Sequence, residues 1–131
     1  MTRFLQIVPR PTDRAGVPPL EEAAVRRILA ARRVREQQLG PELFADPAWD
    51  LLLEALAADA GQKPLSMSRL KVAANVPPST AERWIRKLES DGWLRRTGSF
   101  GDDDQQVSLT PEGSAKLRYL FETVAPMPIL I

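Results

Sequence analysis

Apolar residues recur at helical spacing in several stretches of the chain, and proline, glycine and asparagine separate those stretches. The clearest set is Trp49, Leu52, Leu53, Leu56 and Ala60. It follows Asp46-Pro47, an Asp N-cap with proline at the first helical position, and Gly61 reads as its left-handed terminator. The spacing predicts a core helix over 47–60. Upstream, a helix over 20–39 carries a thin stripe of Leu20, Ala23, Ala24, Ile28, Ala31 and Leu39, with Glu21 and Glu22 in its first turn and Gly40-Pro41 as the stop. The rest of its surface is crowded with Arg26, Arg27, Arg32, Arg33 and Arg35. Residues 1–19 hold Pro9, Pro11, Pro18 and Pro19 and read as an arm, partly extended or disordered, with Phe4–Val8 at most one short strand.

The second half is more finely divided. Ser66 is placed to cap a short helix over 66–75 that holds Leu70 and Ala73, and Asn75 suits a tight turn because Asn tolerates positive φ. Pro77-Pro78 then precedes a helix over 79–91, where Ser79-Thr80-Ala81-Glu82 matches a capping box and Asp91-Gly92 closes the helix. Two strands over 93–97 and 105–109 flank a Gly/Ser/Asp-rich loop and predict a hairpin over 93–109. Thr110-Pro111-Glu112 opens a last helix over 111–124 with Leu117, Leu120, Phe121 and Val124, and Pro126 and Pro128 end it before an apolar tail over 126–131. The expected fold is mainly α with a small β-hairpin, in one domain over 20–125. Trp49, Leu52, Leu53, Leu56, Leu70, Trp84, Ile85 and Leu88 form the expected core.

On the helix over 79–91, at about 100° per residue, Ala81, Trp84, Ile85 and Leu88 share one face. Ser79, Arg83, Arg86 and Ser90 lie opposite. Small hydroxyls and forked cations on a wet helix face suit a DNA major groove, where Arg grips guanine O6 and N7 and Ser, Thr or Lys reach phosphates or base edges. The same residues also fit a plain solvated face. The candidate DNA-binding residues are Ser79, Thr80, Arg83, Arg86 and Lys87 on this helix, Arg69 and Lys71 on the one before it, and Arg95 and Arg96 in the hairpin.

Leu70-Lys71-Val72-Ala73-Ala74-Asn75-Val76, then Ser79 to Glu89, then Asp91-Gly92-Trp93-Leu94 and Val107-Ser108-Leu109-Thr110-Pro111-Glu112-Gly113 stand in the order of a helix-turn-helix and its wing. From Trp49 to Val124 the chain resembles the bacterial MarR-type transcription factors, whose fold is a winged helix-turn-helix flanked by N- and C-terminal helices. The resemblance implies double-stranded DNA as partner and a homodimer built by the helix over 20–39 and by Leu117, Leu120, Phe121 and Val124. A symmetric dimer sets two recognition helices one DNA turn apart, about 34 Å. Relatives often sense small ligands in a cleft between the dimer helices and the DNA-binding lobe, but nothing in this sequence names such an effector. Where relatives offer Arg or Lys at the wing tip, this chain has Asp102-Asp103-Asp104, which phosphate repels. These aspartates lack the spacing of an EF-hand loop and read as a solvated turn.

The charge pattern agrees with that implication. The net charge of +1 is a sum of separate blocks: residues 66–99 hold seven basic and three acidic residues, a net +4, and residues 40–62 hold five acidic residues and no base. Local field, not net charge, governs phosphate binding. The arginines of the first helix fit three roles: a second phosphate surface, partners for the acidic block within or between chains, or a bland exposed face. With no cysteine and no histidine, the chain builds no zinc site, thiol nucleophile or Ser-His-Asp triad. No cofactor and no enzymatic activity are expected. No targeting segment stands out, and the longest apolar runs, such as Leu51-Leu52-Leu53, fall far short of the ~20 residues that span a bilayer. The expected location is the cytoplasm. The sequence-level reading is a sequence-specific DNA-binding regulator, with a winged-helix protein-interaction module as the alternative.

Overall fold

The computed structural model describes residues 19–98 and 105–124. The proline-rich arm over 1–18, the wing tip with Asp102-Asp103-Asp104, and the apolar tail lie outside these. Among the described residues are six helices and one antiparallel hairpin. They are α1 Glu22–Leu39, α2 Pro41–Phe44, α3 Pro47–Ala60, α4 Met67–Ala73, α5 Pro78–Ser90, β1 Leu94–Thr97, β2 Gln106–Leu109 and α6 Pro111–Val124.

Asp46 caps α3 by accepting from the Trp49 backbone N–H at 3.2 Å, and Pro47 occupies the first turn. Every residue of α3 from Asp50 to Ala58 is buried, as a helix apolar nearly all round should be. It runs through the middle of the molecule, with α1, α4, α5, α6 and β2 packed on it. Leu51, Leu53 and Leu56 of α3, Leu70 of α4 and Ile85 of α5 are fully buried, each contributing about 1.5–3 kcal/mol of transfer free energy. Trp49 is half-buried and stacks on Phe121 of α6, with ring centroids 6.2 Å apart and planes at 10°.

Gly40 ends α1 at φ 98°, and α2 is a short turn of helix that the sequence pattern does not show. Gly61 is not the left-handed terminator of α3. It stays near α-helical values at φ −85°, and Gln62 takes the positive φ of 52° instead. The stripe of α1 is also different from expectation: Val25, Ile28, Leu29, Arg32 and Glu36 are buried, while Ala23 is exposed and Leu39 is 60% exposed. The buried face of α1 therefore turns from apolar to charged halfway along the helix.

In the wing, Leu94 pairs with Leu109, Arg95 with Ser108, Arg96 with Val107 and Thr97 with Gln106. A third short segment joins the free edge of β2. Val107 donates to the Leu65 carbonyl at 2.9 Å, Met67 donates to the Gln105 carbonyl at 2.8 Å, and Ser66 bridges Gln106. The turn before α4 is thus stitched to the wing, so helix-turn-helix and hairpin form one body.

Candidate nucleic-acid interface

Three features hold α5. Its inner face, Ala81, Ile85 and Leu88, is buried against α3 and its neighbours. Behind it, α4 is capped by Ser66, whose hydroxyl accepts from the Arg69 N–H at 3.3 Å. Between the two helices Asn75 adopts φ 54°, the left-handed conformation for which Asn suits this turn.

The start of α5 differs from expectation. The helix begins at Pro78, with Pro77 in the cap position and no side-chain cap, so the Ser79–Glu82 capping box does not form. A proline needs no capping of its missing N–H, and the Glu82 carboxylate is engaged elsewhere. It pairs with Arg96 of β1 at 2.9 Å, Lys71 of α4 at 3.1 Å and Arg86 one turn on at 3.2 Å. Arg96 also reaches Glu89 at 2.6 Å. Partial burial pushes the Glu82 carboxyl up, yet the hydrogen bonds and charges of Arg96 and Lys71 outweigh it and hold the pKa down at about 2. Burial lowers Arg96, but its two glutamate partners more than compensate and raise it.

Lys71 and Arg96, two of the nine candidate DNA-binding residues, are thereby half-buried and committed to Glu82. Strand alternation is the signal that marks Arg96: it shares a sheet face with the buried Leu94 and points toward α5, whereas Arg95 points outward. Arg95 is exposed and donates to the Ser108 hydroxyl at 3.3 Å.

Ser79, Arg83 and Arg86 are exposed together on the outer face of α5, and Thr80 is half-buried beside them. The side chain of Arg83 has no hydrogen-bond or ion-pair partner among the described residues, and that of Arg69 on α4 has none either. Lys87 is exposed and pairs with Asp91 at 3.2 Å. Trp84, expected in the core, is 39% exposed. Its position lies at the edge of the inner face, and the small Ala81 and the branched Ile85 and Leu88 fill the contact with α3 without it.

Three of the five arginines of α1, Arg26, Arg32 and Arg33, pair with the acidic block within the chain. Arg32 binds Asp50 in a buried pair, Arg33 lies 2.7 Å from the other Asp50 oxygen, and Arg26 binds Glu54. Arg35 donates to the Phe44 carbonyl and lies over its ring, and Arg27 is exposed. The acidic block over 40–62 is in large part the counter-charge of α1 and, through Asp59 and Arg118, of α6. No group of His, Cys, Asp or Glu among the described residues is arranged to hold a metal. No helix among them is long and apolar enough to cross a membrane.

Two helices meeting at a left-handed turn, a second helix with a wet cationic face, and a hairpin stitched beside it define a winged helix-turn-helix. Solved structures similar to this chain include a MarR family transcriptional regulator from Silicibacter pomeroyi, at 24% identity over 80% of this chain and 66% of that one, with a TM-score of 0.45. Another is the homodimeric winged helix-turn-helix DNA-binding domain of a possible ArsR-family regulator from Mycobacterium bovis, at 17% identity over 84% and 90%, with a TM-score of 0.46. A third is the disulfide-formed AbfR, at 20% identity over 80% and 68%, with a TM-score of 0.48. No family model matches the chain, and no curated protein matches it.

Proposed function

We propose that this chain binds double-stranded DNA sequence-specifically by laying α5 in the major groove, and that it acts as a dimeric transcriptional regulator and not as an enzyme. The observation that carries this reading is the outer face of α5. There Ser79, Arg83 and Arg86 are exposed side by side while the opposite face is locked to the core. Arg83 and Arg86 are the base readers, since an exposed guanidinium forms two parallel bonds to guanine. Ser79, Thr80 and Lys87, with Arg69 and Arg95 on either side, are phosphate contacts that set the register of the helix. Lys71 and Arg96 act one step back, through Glu82. The dimer is assigned to α1 and α6, which expose Val34 and Leu120 respectively.

Selection of bound sequences from random duplex DNA, with the mass of the complex measured, tests this reading. An enriched palindrome with two chains per duplex is the expected result. Binding that falls steeply with salt belongs to the same expectation, because phosphate contacts release counterions. No enrichment and no detectable binding at low salt overturns it and favours a winged-helix protein-interaction module.

A further inference from the structure

The charged half of the buried face of α1 meets the helix-turn-helix at its turn. Asn75, the left-handed residue between α4 and α5, donates from Nδ2 to Glu36 Oε2 at 2.6 Å. Arg33 donates to the Ala73 carbonyl at the end of α4 at 3.3 Å, pairs with the same Glu36, and lies against Asp50 of α3. Arg32, one residue before, holds the other Asp50 oxygen. Arg32, Glu36 and Asp50 are each at least nine-tenths buried. Glu36 Oε1 and Arg32 Nη2 are buried with no hydrogen-bond partner.

Such a network is a costly way to hold a helix in place. Taking charges out of water costs several kcal/mol per ion, and well-packed apolar residues often replace buried ion pairs without loss of stability. The first half of α1 uses that cheaper solution, with Val25, Ile28 and Leu29. The second half differs in what it touches, a turn that presents the Ala73 carbonyl and the side-chain amide of Asn75 to it and whose geometry aims α5. Hydrogen bonds specify one arrangement where apolar contact tolerates several.

We infer that Glu36, Arg33 and Asn75 form a positioning clamp through which α1 sets the orientation of the recognition helix, so that a shift of α1 along α3 is passed to the DNA-reading face. The inference rests on α5 being that face, as proposed above. None of the three clamp residues touches DNA in this account. They act through the turn.

Exchanging donor and acceptor tests the clamp. Asn75→Asp sets a carboxylate against Glu36 and breaks the bond, while Glu36→Gln in the Asn75→Asp background restores a donor and an acceptor with the roles reversed. Asn75→Gly removes the amide while keeping the positive φ accessible, which separates loss of the contact from loss of the turn. Affinity for the selected DNA site at fixed salt is measured for each, beside the thermal midpoint and the amide exchange of residues 74–81. The expected result is a loss of affinity of roughly tenfold or more in both single variants, with faster exchange at the turn, and recovery of both in the exchanged pair. Single variants that bind like the parent, while Arg83→Ala with Arg86→Ala abolishes binding, overturn the clamp and leave the DNA reading standing. An exchanged pair that regains its thermal midpoint but not its affinity overturns it too. If the parent binds no duplex at all, the DNA reading fails. The exchange data then decide the clamp alone: unchanged exchange refutes it, and faster exchange supports the grip on the turn.

Discussion

Thr110 shows how single residues set the geometry of the wing. Its hydroxyl donates to the Gly92 carbonyl and accepts from the Gly113 N–H at 3.0 Å, while its own N–H donates to the Trp93 carbonyl at 2.9 Å. The start of α6 is drawn so close to the end of α5 that a Cβ on Gly113 would stand 2.8 Å from the Trp93 carbonyl oxygen. Backbone gives way less easily than a side chain, so Gly113→Ala should destabilise the fold by about 1–3 kcal/mol, read as a lower urea midpoint at an unchanged m-value. Asp50 poses the opposite problem, a buried charge that must keep its partners. Asp50→Ala leaves Arg32 buried and unpaired and should cost about 3–5 kcal/mol, visible as a large drop in the thermal midpoint. The Thr-Pro-x-Gly pattern was legible as a helix start, since cap and proline announce themselves. Pairing of the acidic block with the arginines of α1 was one of three roles left open by the sequence. The burial of Asp50 with Arg32 was not legible, because Arg32 occupies a position that helical spacing reserves for an apolar residue.

At the scale of elements, α3, α4, α5, the hairpin and α6 were readable because caps, prolines and apolar spacing agreed with one another. Misreadings arose where a residue's partner lies on another element. The Ser79–Glu82 capping box is locally well formed as a pattern, but Arg96 and Lys71 claim Glu82. Trp84 has the right spacing for the core, but no room there is needed for it. The Glu82 hub joins α4, α5 and the wing, and its pH dependence follows from its lowered pKa of about 2. Because the folded-state value lies below the ordinary carboxylate value of 4.5, the contribution of Glu82 is fully present above that range and is lost as pH falls toward about 2. Glu82→Gln should therefore lower stability at neutral pH and flatten the acid limb of a stability-against-pH curve. An acid limb as steep as the parent's would show that Glu82 is not the group responsible.

For the whole molecule, the net charge of +1 conceals two different relations. Asp50 and Glu54 of α3 pair with Arg26, Arg32 and Arg33 of α1 inside the fold. The basic excess over 66–99 surrounds α5, where its exposed members have water in front of them. Internal pairing engages Arg26, Arg32 and Arg33 of α1, which concentrates the proposed phosphate-binding assignment on the face around α5. The measurement that bears most directly on that assignment is the affinity of the protein for its selected duplex, at one fixed salt concentration, before and after Arg83→Ala with Arg86→Ala. Both side chains are exposed, so the double variant should keep the parent's thermal midpoint. It should also lose roughly thirtyfold or more in affinity, as expected for two base-reading arginines. A folded double variant that binds the duplex as tightly as the parent would contradict the account.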